Sequence, residues 1–158
     1  MSSVSLGDRD ASLGVLLCGH GSRSEKAVKE FATLANSLHQ KLPGLEMEYG
    51  YLEFAQPTIS KALDRLRERS IENVIAIPAM LFAAGHAKND IPALLKSYSS
   101  ERNIEIHYGR ELGLNNLMIG AAGERIREVI NNSPRVPLSE TMLVVVGRGS
   151  SDPDANSN

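Results

Sequence analysis

From residue 13 onward, short apolar segments alternate with longer amphipathic ones, a pattern typical of strands and helices that take turns around a parallel sheet. Residues 13–18 form the first predicted strand, which is apolar nearly throughout, as expected of a central strand covered on both faces. A helix follows, with Ser24 suited to its N-cap and apolar residues at steps of three or four up to Pro43 and Gly44. The pattern predicts an α/β fold.

The other predicted elements continue this alternation. Period-two polarity over residues 46–51 predicts a second strand with a more polar face, near an edge of the sheet. Pro57 is placed in the first turn of the next helix, where its missing N–H has no partner to lose. Further along the chain, the sequence predicts a strand at residues 73–78, an apolar loop at 79–85, a helix containing Ile91, Leu94 and Leu95, a strand at 103–108, a helix at 117–130 with Met118, Ala121, Ala122, Ile126 and Val129 facing inward, and a fifth strand at 141–146.

A chain of 158 residues fits one compact domain. Residues 1–12 lack an apolar core and are predicted to be a flexible leader. Near the other end, Gly147-Arg148-Gly149-Ser150 follows an apolar segment as Gly19-His20-Gly21-Ser22 does. We therefore predict a main domain at residues 13–140 and, at residues 141–158, the truncated start of a second, related lobe.

Composition excludes several classes of protein. Hydrophobic residues make up 42% of the chain and charged residues 23%, which is ordinary globular usage. The net charge of −2, without long runs of one sign, predicts no binding to nucleic acid and none to anionic membranes. One cysteine, no targeting segment and no apolar run near 18 residues favour a cytoplasmic protein without a disulfide.

Candidate chemistry gathers where the predicted strands end. His20 follows the first strand, Glu53 the second and His86 the third, and His107 lies near the end of the fourth. Ligands of open parallel sheets bind in the crevice beyond the carboxyl ends of the strands, so these side chains are expected to converge on one rim. Two imidazoles and a carboxylate suit Zn(II), Fe(II) or Co(II) better than Mg(II) or Ca(II).

Each of these residues also has a simpler interpretation. The glycines around His20 let the chain turn sharply and expose the ring, but His20 could equally cap a turn. A phosphate-binding loop at Gly19 is a third possibility, although it matches neither a Walker A loop nor a GxGxxG fingerprint. His86 could be a solvated residue of a loop that packs on its own core, and Glu53 a solvated carboxylate. His39 is interpreted as a surface residue, His107 as a structural residue and Cys18 as an inert residue of a buried strand.

Three motifs, in this order, resemble the class II tetrapyrrole chelatases, specifically the sirohydrochlorin cobaltochelatase and ferrochelatase group. They are Leu-Leu-Cys-Gly-His-Gly-Ser-Arg at residues 16–23, Tyr-Leu-Glu-Phe-Ala-Gln-Pro-Thr-Ile at 51–59, and Pro-Ala-Met-Leu-Phe-Ala-Ala-Gly-His at 78–86 with Asp-Ile-Pro at 90–92. The similarity covers about residues 13–130. It implies a three-layer chelatase-like lobe with a mainly parallel sheet and helices on both faces.

The resemblance also implies an activity: insertion of a divalent metal into sirohydrochlorin, without a nucleotide or an organic cofactor. It assigns metal and proton handling to His20 and His86, with Glu53 as their acidic partner. Co(II) is the favoured metal substrate, and Fe(II) and Ni(II) are alternatives. Phe82 in the apolar loop is expected to cover one macrocycle face, and Arg23 and Lys88 are candidates for binding its carboxylates.

Members of this family are either short chains that pair as homodimers or long chains with two lobes across the cleft. The present chain stops where a second lobe would begin, and Arg148 takes the place of the motif histidine there. A homodimer or a missing second lobe is therefore expected. The alternatives to a cobaltochelatase are a sirohydrochlorin ferrochelatase, a non-catalytic metal or tetrapyrrole carrier, and a flavodoxin-like nucleotide-binding module.

Overall fold

The computed structural model describes residues 13–82, 84–133 and 137–146, and residues 149, 153 and 156. Its helices and strands alternate as the sequence predicts. A π-helical turn, His86–Asp90, runs directly into the third helix. The elements in chain order are β1 (Leu13–Gly19), α1 (Glu25–Gln40), β2 (Glu46–Tyr51), α2 (Ile59–Glu68), β3 (Asn73–Pro78), the π turn, α3 (Ile91–Arg102), β4 (Glu105–Tyr108), α4 (Asn116–Asn132) and a short 3₁₀ helix (Leu138–Glu140).

The described strands form one parallel sheet in the order β2-β1-β3-β4. In β1, Leu17 pairs with Tyr49 of β2 and with Ile77 of β3. The predicted position of β2 at an edge is confirmed. Because β2 and β3 lie on opposite sides of β1, the connections out of the sheet diverge there, and a crevice opens at the carboxyl ends of β1 and β3.

Helices cover both faces of the sheet, so the predicted three-layer arrangement is confirmed. One core lies under α1 and contains Val15, Leu17, Ala35 and Met47. A larger core on the opposite face packs β1 and β3 against α2 and α3, and Leu16, Cys18, Ile59, Leu66, Val74 and Ile91 are fully buried within it. None of the described helices has the length and apolar character needed to cross a bilayer.

The start of α2 corrects the prediction for Pro57. The Thr58 hydroxyl accepts a hydrogen bond from the Lys61 N–H at 3.3 Å, which makes Thr58 the N-cap and Ile59 the first helical residue. Pro57 therefore lies outside the helix, after a cis Gln56–Pro57 peptide bond.

The prediction of a buried face on α4 is wrong. None of the residues of this fully described helix is buried, and Val129, which was expected to face inward, is 65% exposed. Met118 and Ile126 are only partly buried, and Ala121 and Ala122 are exposed. An apolar stripe is buried only where another element packs against it, and the described residues place none there.

The predicted fifth strand is also wrong, because residues 141–146 have no regular structure and Val145 is 84% exposed. Apolar, β-branched residues form a strand only where a neighbouring strand accepts their backbone hydrogen bonds, and no described strand does so. The division into a main domain and a second lobe stays a prediction. The expected leader at residues 1–12 lies outside the described residues, as does Arg148.

Close contact between β2 and α2 generates a stability prediction. A Cβ added at Gly50 would lie 2.6 Å from Ile59 Cα and 2.8 Å from the Thr58 carbonyl oxygen, and neither backbone atom can move without displacing α2. We expect Gly50→Ala to lower the free energy of unfolding by about 1–3 kcal/mol, measured by urea denaturation.

The matched control is Gly120→Ala in α4, where an added Cβ meets nothing within 4 Å. Alanine is favoured over glycine in a helix by roughly 1 kcal/mol, so this variant should be as stable as the wild type or more stable. Equal effects of the two substitutions would contradict the close packing of β2 against α2.

Candidate metal centre at the carboxyl ends of the strands

The site begins where the loops after β1 and β2 run side by side. The Leu52 N–H donates to the Gly19 carbonyl at 2.9 Å, and the Glu53 N–H donates to the His20 carbonyl at 3.0 Å. These bonds extend the pairing of β1 with β2 past the ends of both strands. They set His20 beside Glu53.

Gly21 makes this approach possible. Its φ of +97° lies in the left-handed region, and a Cβ at this position would overlap the carbonyl oxygen of Glu53. Any other residue would push the two loops apart and separate His20 from Glu53. The sequence interpretation of this glycine as the source of a sharp turn is therefore incomplete, because it also allows two backbones to touch.

One ring nitrogen of His20 lies next to a carbonyl oxygen, and the other lies next to a carboxylate oxygen. Nδ1 lies 3.1 Å from the Gly21 carbonyl oxygen, which can only accept, so Nδ1 carries the hydrogen. Nε2 lies 3.3 Å from Glu53 Oε1, and the two side chains are 40% and 39% exposed. In the neutral ring, a nitrogen lone pair then faces a carboxylate. A cation between these two atoms, either a proton or a metal ion, would stabilise both.

His86 reaches the same place from the opposite side of β1. It is the first residue of the π turn, and its ring meets that of His20 edge to face, with 4.6 Å between the ring centroids. His86 Nδ1 lies 2.7 Å from Asp90 Oδ2, one turn further along. Since a carboxylate accepts, Nδ1 donates and Nε2 is left to bind a metal.

Together, His20, Glu53 and His86 can hold one metal ion. One ligand atom from each residue lies within 4.8 Å of the other two. Two neutral imidazoles and a carboxylate suit Co(II), Fe(II) or Zn(II), and three protein ligands leave a coordination position open for a further ligand. The arrangement faces solvent, since His20 and Glu53 are half-buried and His86 is exposed.

Buried contacts hold the π turn that carries His86. Ala87 is buried, and the Tyr108 hydroxyl at the end of β4 donates to its carbonyl at 3.0 Å. Burial, with smaller contributions from Cys18 and Glu111, raises the pKa of Tyr108 to about 12. The phenol therefore stays neutral and keeps its hydrogen. Through this hydrogen bond, Tyr108 fixes the backbone next to His86.

The other predicted site residues lie on the chain segments that carry His20 and His86. The guanidinium of Arg23 stacks over the ring of Phe54, 4.9 Å from its centroid. Phe82 is half-buried in the apolar loop before the π turn, and Lys88 is exposed on that turn, two residues after His86. Their expected roles toward a macrocycle stay predictions.

The three remaining candidates, His107, His39 and Cys18, lie as their interpretation from the sequence predicts. His107 Nε2 pairs with Glu105 Oε1 at 3.0 Å, and within the described residues it does not belong to the metal cluster. His39 is exposed in the last turn of α1. Cys18 is fully buried in β1.

Two residues at the site were missed by sequence reasoning. Asp90 stands four residues after His86 in the third motif, so the spacing of a histidine and a carboxylate on one helical face was available as a signal. Phe54 lies beside His20, with a ring centroid distance of 6.1 Å, and has a φ of +62°. No pattern in the sequence signals a phenylalanine in a left-handed conformation.

The matches to known proteins cover the part of the chain that contains the candidate metal centre. The sequence profile of the CbiX family matches residues 14–129. A sirohydrochlorin cobaltochelatase of Priestia megaterium is 34% identical over 91% of this chain and 47% of its own length. A sirohydrochlorin ferrochelatase of Bacillus subtilis is 30% identical over 89% of this chain and 52% of its own length. The chain thus spans about half the length of these relatives.

One relative is matched over nearly its whole length, and a solved structure has a similar fold. A sirohydrochlorin cobaltochelatase of Sulfurisphaera tokodaii is 33% identical over 77% of this chain and 98% of its own length. The structure of SirB from Bacillus subtilis with Fe3+ has a TM-score of 0.81 and 29% identity, over 92% of this chain and 56% of that one. The α/β lobe is therefore shared with known chelatases.

Substitution of Asp90 tests whether this residue orients the ring of His86. We expect Asp90→Ala to weaken Co(II) binding by about 10- to 100-fold, because the Nδ1–H of His86 would lose the acceptor that orients its ring. Anaerobic calorimetric titration with Co(II) measures this change. Glu128→Ala is the control, since Glu128 is an exposed carboxylate paired with Arg125 in α4. Unchanged affinity in Asp90→Ala would show that the pair does not position the ring.

Alkylation of Cys18 tests whether its thiol is buried in the folded protein. Burial raises the pKa of its thiol to about 12, so almost no thiolate forms at mildly alkaline pH. We expect iodoacetamide to leave the native protein unmodified and to alkylate one thiol per chain after unfolding in urea, as counted by mass spectrometry. Rapid alkylation of the native chain would contradict the burial of β1.

Proposed function

Because the chain belongs to the CbiX family of class II tetrapyrrole chelatases, we propose that it inserts Co(II) into sirohydrochlorin without nucleotide hydrolysis. The observation that carries the proposal is the convergence of His20, Glu53 and His86 on one exposed point at the carboxyl ends of the strands. These residues are proposed to hold the incoming metal and to receive protons from the macrocycle.

Metallation exchanges one divalent cation for two pyrrole protons, so the site must release the metal and accept protons. The position between His20 Nε2 and Glu53 Oε1 suits both cations, since the two atoms face each other at 3.3 Å. When the metal ion leaves this position for the ring nitrogens of the macrocycle, a pyrrole proton takes its place. The carboxylate and the lone pair of the imidazole then keep a cationic partner throughout the transfer.

His86 contributes the second imidazole. Its hydrogen bond to Asp90 directs Nε2 outward, where it can bind the metal or accept the other proton. The apolar loop containing Phe82 is proposed to cover one face of the macrocycle, and Arg23 and Lys88 to pair with its peripheral carboxylates. An apolar wall with a few fixed polar groups is the usual construction of a site for a flat ligand.

The proposed metal is Co(II), with Fe(II) as the alternative and Ni(II) as a further possibility. A ligand set of two imidazoles and a carboxylate accepts all three ions. The relatives whose names include cobalt support the first choice, among them one that the chain matches over 98% of its length. The Bacillus subtilis relative named as a ferrochelatase supports the alternative.

A second lobe or a second copy of the chain is proposed to close the cleft. The metal centre is open to solvent, and four large apolar residues of α4 are exposed: Leu117 (82%), Ile119, Val129 and Ile130. Large exposed apolar residues at this density are typical of surfaces that another element covers. The match covers 47% of the Priestia megaterium relative, which is thus long enough to contain such a cover.

Anaerobic metallation of sirohydrochlorin by Co(II), followed by absorbance against a protein-free control, tests the activity. We expect the wild type to accelerate insertion, and His20→Ala and His86→Ala each to reduce the rate to that of the control. Glu53→Gln should cause a partial loss of roughly 10- to 100-fold, because an uncharged amide still offers an oxygen. His39→Ala is the matched control, since His39 is exposed on α1.

Wild-type turnover in His20→Ala or His86→Ala would refute the assignment of the site. Tight binding of both Co(II) and sirohydrochlorin without any acceleration would instead favour a metal or tetrapyrrole carrier. Affinity for nucleotides without affinity for Co(II) would favour the nucleotide-binding module.

A further inference from the structure

Phe54 is an exposed aromatic residue beside the metal centre. The residue is 52% exposed, although phenylalanine is usually buried. The ring lies 6.1 Å from that of His20, at an interplanar angle of 38°. The guanidinium of Arg23 lies over the ring of Phe54. Among the described residues, no carboxylate forms an ion pair with Arg23.

The loop holds Phe54 in an unfavourable backbone conformation. Its φ is +62°, and the turn around it is closed by the Ala55 N–H, which donates to the Glu53 carbonyl at 2.8 Å. On the far side of the turn, the Tyr51 N–H donates to the Pro57 carbonyl at 2.9 Å. Left-handed backbone is disfavoured for residues with a Cβ, and such positions cluster at ligand sites. The loop therefore presents the ring to solvent instead of the core.

A surface pocket of about 300 Å³ lies next to this ring. Arg23 and Lys29 contribute two positive charges to its lining, and Glu25 contributes one negative charge. The pocket also lies at the first turn of α1, where the positive end of the helix dipole favours anions. An anionic group is therefore favoured there, a short distance from an exposed aromatic face.

We propose that Phe54 is a specificity-determining residue for the macrocycle and that the pocket beside it is a carboxylate subsite. The tetrapyrrole held at the metal centre stacks an edge on the ring of Phe54. A carboxylate arm from its rim enters the pocket and pairs with Arg23 and Lys29. This inference rests on the proposed function, and it adds Phe54 and Lys29 to the residues that select the substrate.

The charge of Arg23 and its stacking act together in this arrangement. A guanidinium already held over an aromatic face loses little further freedom when it binds a carboxylate. Lys29 adds a second cation one turn along α1. A macrocycle without carboxylates would gain the stacking contact but not the ion pairs, so the pocket discriminates between tetrapyrroles by their rims.

The first test measures binding instead of turnover. Phe54→Gly and the control Leu34→Ala, at an equally exposed residue of α1, are titrated anaerobically with metal-free sirohydrochlorin and, separately, with Co(II). We expect Phe54→Gly to bind the macrocycle at least about 10-fold more weakly and to bind Co(II) as the wild type does. Its Tm should stay close to that of the wild type, because glycine relieves the left-handed strain. Leu34→Ala should change neither affinity.

The second test separates charge from stacking. Arg23→Gln with Lys29→Gln is titrated with a polycarboxylated porphyrin and with the methyl ester of the same ring. We expect weaker binding of the acid, and unchanged binding of the ester, relative to the wild type. Phe54→Gly should weaken the binding of both.

The outcomes distinguish this inference from the function on which it rests. If the wild type binds sirohydrochlorin and Phe54→Gly binds it equally well, the role of Phe54 is refuted and the chelatase proposal stands. A Tm that falls by many degrees in Phe54→Gly, with unchanged macrocycle affinity, would make the residue structural. If the wild type does not bind sirohydrochlorin at all, both proposals fail.

Discussion

The candidate site depends on the close approach of two backbones just past the ends of β1 and β2. Hydrogen bonds from Leu52 to Gly19 and from Glu53 to His20 continue the sheet into its loops. Gly21 permits this because it has no Cβ to meet the carbonyl of Glu53. The geometry of the His20–Glu53 pair is thus set by sheet pairing, which is stiffer than a free loop. The strained turn at Phe54 begins directly after this pairing ends.

The third ligand comes from the other side of β1, and the strand order explains why it arrives there. β3 pairs with β1 on the side opposite β2, so the carboxyl ends of β1 and β3 lie side by side at the crevice. The π turn then directs His86 toward His20, and Tyr108 and Asp90 fix its backbone and its ring. A π turn within a helix is uncommon and is frequent at functional sites, where it redirects a side chain.

Much of this arrangement follows from sequence, and the exceptions share a physical cause. Apolar runs predict β1 and β3, and alternating polarity predicts β2. The residues that follow these strands, His20, Glu53 and His86, meet at the rim of the sheet. The π turn and the left-handed Phe54 were not predictable, because tertiary contacts set both against local preference. The inward face of α4 and the strand at residues 141–146 were predicted wrongly. An apolar pattern shows which surface is suited to burial, but it does not show whether another element packs against that surface.

The proposed function requires that His20, Glu53 and His86 bind a single metal ion together. X-ray absorption spectroscopy at the cobalt edge, on the Co(II)-loaded protein, tests it most directly. We predict scattering from two imidazoles in the wild type and from one in each of His20→Ala and His86→Ala. A cobalt environment without imidazole, or one that neither substitution changes, would contradict the account.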